Sequence, residues 1–138
     1  MKEKIVIIGA GEIGRAIEKI LQEKGFLVAL WDKDVSKVPG QKPLSEIVPE
    51  ADVVFLCAPS WTLAEITEDI KENLKRTAII VALAKGLERN TLSTVDKILA
   101  RSLHKDQPTA LLAGPMLASE LVRDMPARGV LASSDRKT

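Results

Sequence analysis

Lys4-Ile5-Val6-Ile7-Ile8-Gly9-Ala10-Gly11-Glu12-Ile13-Gly14 reads as a buried strand, a tight glycine turn and the first turn of a helix. Ile5 to Ile8 form a continuous β-branched run, as a central parallel strand requires. Gly9, Gly11 and Gly14 are spaced G-x-G-x-x-G, and each place wants glycine for its own reason. The first turns the chain sharply, the second lets backbone approach a pyrophosphate, and the third lets helix and strand pack closely. The helix N-terminus then directs unpaired N–H groups and a partial positive charge toward a phosphate. Backbone at Ala10, Glu12 and Ile13 belongs to the same expected cradle.

Outward from the turn, Ile13, Ala16, Ile17, Ile20 and Leu21 give the helix one apolar face. Gly25 is placed to end it, and Phe26–Trp31 reads as a second strand. Strand, helix and strand make a right-handed parallel βαβ unit. Asp32 closes the second strand 18 residues beyond Gly14, where a carboxylate can accept hydrogen bonds from the two hydroxyls of an adenosine ribose. The same carboxylate repels a 2′-phosphate, so NAD is the expected cofactor and NADP the weaker candidate, with Lys33 and Lys37 softening the repulsion. The competing reading has Asp32 only capping a turn.

Composition narrows the function classes. The chain has 138 residues, 46% hydrophobic and 28% charged, which suits a single domain with a sizeable core. A net charge of +1 and 3% aromatics provide neither the basic field nor the stacking residues of a nucleic-acid binder. Cys57 is the one cysteine, so no internal disulfide forms and a reducing cytoplasm is the expected compartment. Met1-Lys2-Glu3-Lys4 before an apolar run superficially resembles a signal peptide, but Gly-Ala-Gly and Glu12 interrupt it too soon. No apolar stretch approaches the roughly 20 residues that span a bilayer. No metal-ligating cluster is expected.

Further along, residues 33–43 read as a loop broken by Pro39-Gly40 and Pro43, followed by a brief helix that stops near Pro49. Val53–Cys57 is a third strand, with Ala58 and Pro59 at its carboxyl end, where open parallel sheets bind ligands. Pro59 and Ser60 are equally suited to starting a helix. Trp61–Lys75 is expected to be an amphipathic helix with Trp61 packed, and Cys57 an inert buried thiol. Thr77–Leu83 is the fourth strand, and Lys85 at its end faces a substrate anion, a cofactor phosphate or only solvent. Leu92, Val95, Ile98, Leu99 and Leu103 form the stripe of another helix, capped by Thr91 or Ser93, with His104 exposed near its end. Thr109–Ala113 and 128–133 are the last strands, flanking a short helical stretch at 118–122.

Three stretches together resemble the NAD-dependent glycerol-3-phosphate dehydrogenases. They are the glycine turn with the strand ending Leu30-Trp31, Lys85-Gly86-Leu87-Glu88, and Gly114-Pro115-Met116-Leu117-Ala118-Ser119-Glu120-Leu121 followed by Met125-Pro126-Ala127. The resemblance implies a Rossmann-type α/β fold: a doubly wound, mostly parallel sheet with flanking helices, cut short on its C-terminal side. It implies hydride transfer between nicotinamide and C2 of glycerol 3-phosphate, giving dihydroxyacetone phosphate. Gly9, Gly11 and Gly14 would hold the pyrophosphate and Asp32 the ribose. Ala58 and Pro59 would border the nicotinamide, and Lys85 would face a small phosphorylated substrate.

The chain also departs from the family. Met116 and Leu117 stand where the family carries Ser or Asn and then an aromatic residue. The family's helical second domain, with its proton-transfer lysine and phosphate-gripping Arg-Asn pair, is absent from residues 1–138, which are expected to form one dinucleotide-binding domain with little turnover alone. Two alternatives stand beside this reading. One is a related dehydrogenase of prephenate, ketopantoate or 6-phosphogluconate type. The other is a non-enzymatic NAD-responsive module that forms a homodimer through an unfinished sheet edge.

Overall fold

The structure is a computed structural model that describes residues 2–138. Six strands form one sheet: β1 (Lys4–Ile8), β2 (Leu27–Trp31), β3 (Val53–Leu56), β4 (Ile79–Ala82), β5 (Thr109–Ala113) and β6 (Val130–Ser133). Their order is β2-β1-β3-β4-β5-β6. The first five run parallel, and β6 closes the edge antiparallel to β5. The helices are α1 (Glu12–Glu23), α2 (Leu44–Ile47), α3 (Leu63–Ile70), α4 (Val95–Ser102) and α5 (Ala118–Leu121).

Alternation along β1 supplies two cores from one strand. Val6 and Ile8 point to one side, where they meet Val54 and Leu56 of β3 and Ile80 of β4 beneath Leu63 and Ile70 of α3 and Ile98 and Leu99 of α4. Ile5 and Ile7 point to the other, packed with Val81, Leu83 and Ala110 beneath Ile13, Ile17 and Leu21 of α1. A strand buried on both faces explains why its sequence is a continuous apolar run. The sheet is therefore doubly wound, and the winding direction reverses between β1 and β3. At such a point the crossing helices lie on opposite faces and leave a crevice at the carboxyl ends of the strands.

Several elements are shorter than the periodicity predicts. The helix expected over 61–75 is a 3-10 turn (Ser60–Thr62), α3 and a second 3-10 turn (Lys71–Asn73). α4 begins at Val95 behind an extended Thr94, so neither Thr91 nor Ser93 caps it. Leu92, placed in the buried stripe by its spacing, is 70% exposed with φ +54°. Hydrogen bonds from Leu92 N–H to Glu88 O and from Glu88 N–H to Ser93 O draw that segment into a loop before the helix starts. Trp61 is half exposed rather than packed in a core, and the Arg89 guanidinium lies 4.4 Å from its ring centroid. His104 is half-buried, with Nε2 3.1 Å from the Lys71 carbonyl oxygen. No helix among the described residues is long and apolar enough to cross a membrane.

Candidate functional site at the switch point

A cleft of about 760 Å³ opens at the carboxyl ends of β1, β3 and β4. That is within the size range of cofactor sites. Gly9, Gly11, Glu12, Ile13, Asp32, Ala58, Pro59 and Lys85 all line it, although they come from four separate stretches of sequence.

The glycines divide the work of the turn. Gly9 has φ +109°, and a Cβ there would overlap the Cys57 carbonyl. Its N–H donates to Trp31 O at 2.8 Å, while Cys57 N–H donates to Ile8 O at 2.8 Å, so the turn is laced to both neighbouring strands. A Cβ on Gly14 would overlap the Gly9 carbonyl oxygen, because α1 starts directly against the end of β1. Gly11 differs: its backbone is ordinary extended (φ −75°, ψ −172°) and a Cβ there would meet nothing within 4 Å. No contact of the fold requires glycine at that place, so the open space is free for a ligand. Among the described residues no side chain caps α1, and its first backbone bond runs from Arg15 N–H to Gly11 O. The N–H groups of the first turn thus precede the helical ladder, a ready anion site.

Ala10 does not line the cleft. Its methyl is buried in the core on the α1 side, and its N–H donates to Asp32 Oδ2 at 2.8 Å. Asp32 is itself buried, and Oδ1 accepts from Asp34 N–H at 2.9 Å. The carboxylate therefore caps the turn after β2, as the competing reading had it, and it also ties the glycine turn to β2. Lys37 Nζ lies 3.7 Å from Oδ2. Gln41 grips the Asp32 backbone from both sides, donating to its O at 2.7 Å and accepting from its N–H at 2.9 Å. Arg15 donates to the Lys37 carbonyl. None of these clamps is legible in the sequence, because Gln41 and Lys37 belong to its most irregular stretch.

Lys85 sits on a loop with a fixed base. Gly86 has φ +91°, Ser60 Oγ donates to Leu87 O at 2.9 Å, and Arg101 Nη2 reaches both oxygens of buried Glu88, at 2.5 and 2.6 Å. Arg101, and with it the Thr91 hydroxyl, holds the Glu88 carboxyl below its ordinary range. Cys57 also borders the cleft, but burial pushes its thiol up to about 12, which leaves it protonated and inert as expected. The sequence reading marked Met116 and Leu117 as departures from the family pattern but did not place them, or the other apolar residues, in the cleft lining. Trp31, Leu44, Ile66, Leu112, Met116 and Leu117 also line the cleft. Their signal was positional: Trp31 and Leu112 lie at strand ends, Leu44 and Ile66 on helices, and Met116 and Leu117 in the loop between β5 and α5.

The family described as NAD-dependent glycerol-3-phosphate dehydrogenase N-terminus has a model that matches residues 35–138. The chain belongs to that family. Among curated glycerol-3-phosphate dehydrogenases whose names carry NAD(P)+, the one from a Thermoanaerobacter species is 32% identical over 155 residues. That match takes in 97% of this chain and 46% of the relative. The Clostridium tetani protein is 30% identical over 155 residues, taking in 96% of this chain and 44% of its own length. The chain thus spans less than half the length of the curated relatives it matches. A solved glycerol-3-phosphate dehydrogenase from Coxiella burnetii shares the fold, with a TM-score of 0.85 at 24% identity over 99% of this chain and 48% of that one. The molecule described here is an N-terminal NAD-binding domain of the glycerol-3-phosphate dehydrogenase family.

Proposed function

We propose that residues 1–138 form one dinucleotide-binding domain that presents NAD(H) for hydride exchange between glycerol 3-phosphate and dihydroxyacetone phosphate. The observation that carries the binding half is the free space at Gly11 beside an uncapped helix N-terminus. N–H groups of Glu12 and Ile13 hold the pyrophosphate there. Asp32, already fixed by two backbone N–H donors, offers its remaining lone pairs to the adenosine ribose. Ala58 and Pro59 border the nicotinamide end, and the clamped loop after β4 sets Lys85 toward a phosphorylated substrate. Bound dinucleotide supplies the hydride chemistry, and the protein supplies position and charge. Leu112, Met116 and Leu117 give the cleft an apolar lining. A homodimer through β6 accompanies this reading. All four of its residues are exposed, Val130 and Leu131 among them, and an exposed apolar edge invites pairing.

Calorimetric titration tests the binding half. The chain takes NADH more tightly than NADPH, and Asp32→Asn narrows the gap about fivefold or more, because it removes the charge and keeps one acceptor for the turn. A chain that ignores NADH refutes the proposal, and an unmoved gap in Asp32→Asn refutes the role of the carboxylate.

A further inference from the structure

The mouth of the cleft beside Asp32 holds two cations, and each is matched with a carboxylate. Lys37 Nζ stands 3.7 Å from Asp32 Oδ2. Lys33, the residue after Asp32, sends its ammonium across the mouth to Glu65 Oε1 of α3 at 2.8 Å. Asp69 lines the cleft one helical turn beyond Glu65. Both members of the Lys33–Glu65 pair are largely exposed, so their contact serves no core and no backbone group of the fold depends on it.

A 2′-phosphate on the adenosine ribose would arrive beside Asp32 and requires a cation to offset that carboxylate. Lys33 is adjacent and long enough to reach it, and a compact ammonium is a suitable phosphate partner. We infer that Glu65 is a specificity-determining residue of the cofactor site: by holding Lys33 on α3 it withholds one of the two cations beside Asp32 that would offset a 2′-phosphate, and so biases the cleft toward NAD(H). Selectivity here is set partly from a helix outside the glycine turn and the Asp32 strand. The inference rests on the reading that Asp32 receives the adenosine ribose.

The test is a double-variant cycle with Glu65→Gln, Lys33→Ala and their combination, each titrated with NADH and with NADPH. Glu65→Gln raises the NADPH-to-NADH affinity ratio about fivefold, the scale of one exposed charge pairing. In the double variant that gain disappears, because the freed cation is gone. A ratio unmoved by Glu65→Gln overturns the inference. So does a gain that survives in the double variant, which assigns the effect to the Glu65 charge acting at a distance. A wild-type chain that fails to bind NADH overturns the underlying reading instead, and the two failures are told apart by that first titration.

Discussion

Gly11→Ala and Gly14→Ala lie one helical turn apart and have different consequences. At Gly14 a methyl must displace the Gly9 carbonyl, which is backbone and cannot swing aside. Overpacking of this kind costs about 1–3 kcal/mol, so thermal and denaturant midpoints fall. At Gly11 a methyl enters open space on an ordinary extended backbone. The weaker capping preference of Ala and the lower entropy of its unfolded chain oppose each other, leaving stability within about 1 kcal/mol of wild type. The same methyl occupies the space assigned to the pyrophosphate, so NADH affinity drops by about tenfold or more. Paired unfolding and titration curves check both halves. A Gly11→Ala protein that binds NADH as before removes the phosphate site from this turn.

Among the elements, the loop between β4 and α4 is held in part by the Glu88–Arg101 pair. Glu88 is buried beneath Arg101, and the Thr91 hydroxyl donates to the same carboxylate. Its folded-state pKa is lowered, so the pairing contributes stability above the ordinary carboxylate range and loses it as pH falls through the folded value. Glu88→Gln therefore destabilises the chain at neutral pH, and the deficit shrinks in acid, where the wild-type carboxyl is also neutral. Denaturant midpoints at neutral and strongly acidic pH measure this, and a deficit equal at both would show that the charge contributes nothing. Little of this loop was legible in the sequence. Leu92 fits a helical stripe by spacing alone, yet the carboxylate 13 residues before Arg101 diverts the chain before a helix can start. Local periodicity carries no record of a partner that arrives from a later helix.

For the molecule as a whole, the distribution of the site matters. The glycine-turn and Asp32 side of the cleft is built within β1–α1–β2, whereas Leu112, Met116 and Leu117 come from the segment that leads to the exposed strand β6. Assayed by itself with saturating NADH and dihydroxyacetone phosphate, the 138-residue chain turns over far below the roughly 10 per second of an ordinary enzyme. A rate near that value shows that Lys85 and its neighbours suffice for chemistry. Light scattering in the same solutions settles the role of β6, since an unchanged monomer mass with and without NADH discards the dimer. The strand–turn–helix and the position of Asp32 were readable from the sequence because the constraints are local. A buried strand must be apolar throughout, and a carbonyl lying where a Cβ would go admits only glycine. Tertiary structure alone decided that Ala10 donates its N–H to Asp32, that Gln41 brackets that residue, and that Lys33 is held by Glu65. Those links join residues between 9 and 32 positions apart, and only the packing of the sheet and its helices determines which polar groups meet.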